Sequence, residues 1–246
     1  MAVSTKKVSW YKKYASYKYY IPLANAIIPY CFWGSLIIAI VGLALGLGFA
    51  PADYQQGNSF RIIYIHVPAA MLSTSLYMAM AITSLCFLVW KVKLLPLVAR
   101  SMATIGAVLT LVSLFTGAVW GAPTWGTWWV WDIRLTSQLL LLFFYIGYIA
   151  FDHAIEDRQT ADIFTSILAV IGIAVALLVK LSVYFFNSLH QKSTLFASGG
   201  PKIPMDMLLP LILMIVAYSL FTTGYILKKS VNLINRDRVM KHYLNQ

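Results

Sequence analysis

The chain has 246 residues, 60% of them hydrophobic, with only 19 basic and 8 acidic side chains, too few polar groups to cover a soluble domain of this size. Its net charge of +11, which would suggest nucleic acid in a soluble protein, therefore has to be read loop by loop along a membrane chain. Cys31 and Cys86 both fall in apolar runs and form no Cys-x-x-Cys, so disulfide frameworks, thiol redox chemistry and covalent attachment of a cofactor through cysteine are excluded.

Residues 1–26 form a basic and aromatic tail, in which Lys6, Lys7, Lys12, Lys13 and Lys18 alternate with Trp10, Tyr11, Tyr14, Tyr17, Tyr19 and Tyr20. Such a segment suits the surface of an anionic leaflet. Six apolar runs follow, at 27–50, 62–90, 101–120, 137–151, 163–189 and 207–227. A bilayer core takes about 20 apolar residues per helix, so each run is read as one span. The fourth is the shortest, and Leu135 and Thr136 extend it. The first is too long for the apolar region of a cleavable signal peptide, so the N-terminus is expected to stay attached. A second basic tail occupies 228–246. The expectation is an all-α integral membrane protein, a bundle of six transmembrane helices forming one membrane domain over 1–246.

An even number of spans puts both termini on one side. Fourteen of the 19 basic residues fall in the two tails, the second-to-third loop (Lys91, Lys93, Arg100) and the fourth-to-fifth loop (Arg158). Cytoplasmic segments carry the excess of Lys and Arg, so both termini are expected in the cytoplasm.

That orientation sorts the four histidines. His153 lies among Asp152, Glu156, Asp157 and Arg158, and His242 lies in the basic tail; both read as solvated side chains on the inner side. His66 and His190 emerge together at the outer surface. Each alone fits a hydrogen-bonded interfacial histidine, but two at equal depth also fit a pair of axial ligands to haem iron.

Between them in the chain, Trp120, Trp125, Trp128, Trp129 and Trp131 supply five of the eight tryptophans within 13 residues that end at Asp132. An ordinary interfacial belt spreads its tryptophans over many helix ends. If this segment is helical, Trp125, Trp128, Trp129 and Asp132 share one face, an apolar plate as wide as a porphyrin. Arg61 and Arg134 stand at its edges, where each fits either a propionate or a lipid phosphate, Arg134 also Asp132. Lys180 sits inside the fifth run, and snorkelling or helix packing explains it as well as a function does.

These segments resemble a known family. The stretches 49–70, with His66 in Ile-His-Val-Pro-Ala-Ala, 125–137, with Trp-Gly-Thr-Trp-Trp-Val-Trp-Asp132, and 187–191, with His190, are similar to the CcmC haem-handling proteins of bacterial cytochrome c maturation, within the tryptophan-rich WWD superfamily. The resemblance covers about residues 27–227. It implies a multi-pass protein of the bacterial inner membrane that holds non-covalent haem b on the periplasmic side. His66 and His190 are then the metal ligands, and the tryptophan loop grips the haem edge. It further implies delivery to a periplasmic haem chaperone (CcmE-like), with ABC transporter subunits (CcmA/CcmB-like) and a small membrane subunit (CcmD-like) as partners. The chain departs from the family pattern at Gln138, where glutamate is usual, at Phe185 and Phe186, and at 175–178.

The competing readings are weaker. A transmembrane b-type cytochrome needs a second histidine pair near the inner leaflet. A permease or structural subunit leaves the outer tryptophans unexplained, and the haem lyase branch of the same superfamily is generally longer. The sequence has no P-loop and no hydrolytic constellation, so a ligand handler rather than an enzyme is expected, with any ATP hydrolysis in partner subunits.

Overall fold

The computed structural model describes residues 15–185, 190 and 203–244, with side chains to residue 239. Lys6, Lys7, Lys12, Lys13, Trp10, Tyr11, Tyr14, Phe186, Lys192, Lys202 and the side chain of His242 lie outside the described residues.

Among the described residues, six helical segments are long and apolar enough to cross a membrane, at Tyr17–Phe49, Asn58–Trp90, Leu94–Trp125, Ile133–Ala154, Arg158–Phe185 and Met205–Val239. The protein is an all-α, multi-pass membrane protein. The physical reason is general: lipid offers no partner for a backbone N–H or C=O, so each crossing must close its own hydrogen bonds.

The first span is α1 (Tyr17–Leu43), continued by a π-helical turn at Ala44–Phe49. A short 3-10 turn at Asn58–Ile62 leads into α2 (Ile63–Trp90), and α3 runs over Leu94–Trp125. After α4 (Ile133–Ala154), the fifth span is made of α5 (Arg158–Ile171) and α6 (Ile173–Phe185), and α7 (Met205–Leu244) is the sixth. The fifth span breaks at Gly172, where any Cβ would collide with the hydroxyl of Tyr77 and the ring of Phe144.

The core lies among α2, α3, α4 and the fifth span, with Tyr77, Met80, Ala99, Ala103, Leu141, Tyr145, Tyr148, Ala169 and Ala176 all buried. Small residues let the helix backbones approach where lipid provides no hydrophobic drive toward association. Three polar residues inside this core find one another. Gln138 donates to Ser73 Oγ at 3.0 Å, and the Tyr145 hydroxyl donates to the Ser73 carbonyl at 2.8 Å. By contrast α1 packs mainly on α7 and turns Tyr30, Trp33 and Ile37 outward, the face expected against lipid.

At one end of the bundle the Tyr17 hydroxyl donates to the Lys93 carbonyl and Arg238 stacks over the Tyr17 ring, so the start of α1, the α2–α3 turn and the last turns of α7 gather there. Lys91, Lys93 and Arg158 sit at this lysine-rich end. The two tails read from the sequence are partly helical: α1 begins at Tyr17, and α7 continues through 228–244. Packing explains both extensions. Tyr20 and Ser230 hydroxyls bond at 2.6 Å, and Ile234 is buried against Leu94 and Leu97.

Candidate functional site

The opposite end carries the tryptophans. His66 enters from the first turn of α2 and meets α3 over residues Thr116, Gly117 and Trp120. Its Nδ1 lies 3.1 Å from Thr116 Oγ1, and its ring sits edge-on to Trp120 at 5.6 Å between centroids. Gly117 makes this approach possible, since a Cβ there would stand only 3.0 Å from His66 Cε1. Trp120 is itself held, its indole N–H donating to Gln56 Oε1 at 2.7 Å across to the loop before α2.

α3 stops after Trp125 because Gly126 adopts φ 72°, a left-handed conformation open to glycine. Residues 126–132 are therefore irregular rather than helical, and the single face expected for Trp125, Trp128, Trp129 and Asp132 does not form. The loop instead splits its tryptophans. Trp125 packs edge-on against the ring of His190 at 4.8 Å, while Trp129 and Trp131 stack edge to face at 5.4 Å. Trp128 and Trp131 are exposed, at 65% and 76%. The indole N–H of Trp129 is buried and has no hydrogen-bond acceptor among the described residues.

Asp132 ends the loop as the N-cap of α4, accepting from the Leu135 amide at 2.7 Å through Oδ1. Its other oxygen lies 3.6 Å from His190 Nδ1. Burial, and then the positive charge of Arg134, lower the pKa of His190 to about 4, with Asp132 pulling the other way. A neutral imidazole, the form able to ligate iron, is thus the stable state at neutral pH. Arg134 lies close enough for its charge to act on both histidines, and His190 close enough for its charge to act on His66. The structure so gathers His66, His190, Trp120, Trp125, Asp132 and Arg134 at one end of the bundle.

Arg61, read from the sequence as a partner for a propionate or a lipid phosphate, is engaged with the backbone of the neighbouring span. Its guanidinium donates to the carbonyls of Gly46, Leu47 and Ala50, the last at 2.7 Å, and its Nε donates to Asn58 Oδ1 at 3.2 Å. The π-helical turn leaves carbonyls without intrahelical partners, and Arg61 satisfies them as a C-terminal cap from the neighbouring span. Lys180 is exposed on the outside of α6. His153 stays at the lysine-rich end. Thr116 and Gly117 were not singled out from sequence, although with Trp120 they occupy one face of α3 a turn before the tryptophan loop.

The fold and this end together define a polytopic membrane protein with two imidazoles set against an aromatic wall. The family described as Heme exporter protein C matches residues 10–245, and the chain belongs to that family. It is 52% identical to Heme exporter protein C of Escherichia coli K12 over 167 residues, 68% of each chain. It is 42% identical to the protein of that name from Haemophilus influenzae over 209 residues, 85% of each chain. With the Paracoccus denitrificans protein of that name it shares 37% identity over 228 residues, 92% of this chain and 94% of the relative.

Proposed function

We propose that this protein binds haem at its tryptophan end and hands it on for cytochrome c maturation. Membership of the Heme exporter protein C family supports haem as the cargo. The observation that carries the site is the pairing of His66 and His190, each edge-on to its own tryptophan, Trp120 and Trp125. A porphyrin iron brings four ligands of its own and takes two imidazoles to complete its coordination. The donor set fits such a group, because among the described residues no three His, Cys, Asp or Glu converge as a bare ion would need.

In this reading His66 and His190 hold the iron through Nε2, and Trp120 and Trp125 exclude water from its two sides. Two groups suit the acidic propionates: Arg134, and the Trp129 indole N–H that is buried without an acceptor. The exposed Trp128 and Trp131 face outward, available to whatever receives the haem. No covalent bond to this chain is required, so the haem is of the b type, and transfer needs only exchange of ligands.

The basic residues at the lysine-rich end support a cytoplasmic position for that end, and for both termini, by the positive-inside rule. The whole of 1–246 then acts as one membrane domain of a bacterial inner membrane, with its haem site on the periplasmic side. The receiving partner is a CcmE-like periplasmic haem chaperone, assisted by CcmA/CcmB-like ABC subunits and a CcmD-like small subunit.

The test is the optical spectrum of the detergent-purified protein. The wild type should show a low-spin haem with two nitrogen ligands that is extracted by acid acetone. His66→Ala and His190→Ala should each reduce bound haem, with partial recovery on adding imidazole. Full retention in the double variant would overturn the ligand assignment.

A further inference from the structure

We infer that Thr116 is a positioning residue for His66, selecting the ring tautomer that leaves Nε2 as the basic nitrogen. The inference rests on the haem-site reading above, but its first step concerns the haem-free protein.

Hydrogen-bond bookkeeping at one hydroxyl carries the argument. Thr116 Oγ1 has a single proton, and it is committed to the Val112 carbonyl at 2.6 Å, one turn back in α3. The same oxygen lies 3.1 Å from His66 Nδ1. With its proton spent, it meets that nitrogen as an acceptor, so Nδ1 must carry hydrogen.

A neutral imidazole has one N–H, so protonation at Nδ1 leaves the lone pair on Nε2. The ring's placement agrees. Measured from where a Gly117 Cβ would stand, Nδ1 is at 3.5 Å and Nε2 at 4.0 Å, so of the two ring nitrogens Nε2 is the farther from this point of α3. Thr116 holds one edge of the ring, and Gly117 provides the space for it. An acceptor on the far nitrogen also makes an imidazole a stronger donor to metal, and loss of such a partner typically weakens metal binding by about ten- to a hundredfold.

The experiment begins on the haem-free full chain in detergent, with isotope-labelled histidine and nitrogen NMR; His66→Gln assigns the signal among four histidines. Wild type and Thr116→Ser should show His66 protonated at Nδ1, and Thr116→Val should show a mixture containing the Nε2–H form. An unchanged tautomer in Thr116→Val overturns the inference. Haem titration then follows on the same proteins. Thr116→Val should bind about ten- to a hundredfold more weakly, with a more positive reduction potential, and Thr116→Ser should restore both. If the tautomer shifts but affinity, spectrum and potential all stay at the wild-type values, ligation by His66 fails, while the action of Thr116 on the ring stands.

Discussion

Asp132 faces two ways: one carboxylate oxygen caps α4 through the Leu135 amide at 2.7 Å, and the other lies 3.6 Å from His190 Nδ1. A helix terminus and a proposed iron ligand therefore share one side chain. The same carboxylate counters the charge of Arg134 at His190.

The two uses of Asp132 can be separated by substitution. Asn retains an acceptor for the Leu135 amide but loses the charge, whereas Ala loses both. Asp132→Ala should cost about 1 kcal/mol of stability through the lost cap, and Asp132→Asn only a few tenths by the same scale. Both should weaken haem binding. Thermal unfolding and haem titration on the same preparations check this, and wild-type haem affinity in Asp132→Asn would confine Asp132 to capping.

Arg61 binds three carbonyls at the end of the first span, so its replacement should act on that end of the fold. Arg61→Ala should lose on the order of 2 kcal/mol. Arg61→Lys should recover little, because a point ammonium cannot bridge three acceptors as a planar guanidinium does. The measurement is haem bound per folded molecule beside the unfolding temperature. Reduced haem at unchanged stability would return Arg61 to the edge of the ligand.

Exposure divides the tryptophan loop into two sets. Trp125 touches His190, and Trp128 stands out at 65% exposure. Trp125→Ala should reduce the haem that this protein retains, and Trp128→Ala should leave retention near normal while impairing transfer to the chaperone. A displacement of about 1 Å in the presented group can cost on the order of a hundredfold in rate. Coexpression with the chaperone, reading haem on both proteins, distinguishes the two; equal losses in both readouts for Trp128→Ala would make the loop part of the pocket alone.

At the lysine-rich end, Arg100 is buried between Asp152, at 2.6 Å, and Asp162, with Arg158 reaching Asp152 at 2.5 Å. Removing one partner strands the others in low dielectric. Arg100→Ala should destabilise the bundle by about 3–5 kcal/mol, and adding Asp152→Ala should recover part of that loss. Unfolding of the single and double variants checks the pairing. A double variant no more stable than Arg100→Ala would show that the two charges do not depend on each other.

The spans were legible in the chain itself because a membrane imposes a one-dimensional rule: about 20 apolar residues, bounded by charge, make a crossing. The tryptophan cluster and the placing of His66 and His190 at one end of the bundle were legible for a similar reason, since density and depth can both be counted along a sequence. Partnerships between helices were not. Thr116 and His66 stand 50 residues apart and meet only through the rotation of α2 against α3. The three carbonyls that hold Arg61 belong to the preceding span, and the irregular turn after Gly126 replaced a helical face with a split one. Helices that are apolar all round carry little amphipathic signal to fix their rotation. Which side chain faces which neighbour is therefore decided by packing, close glycine contacts and polar pairs in the assembled bundle.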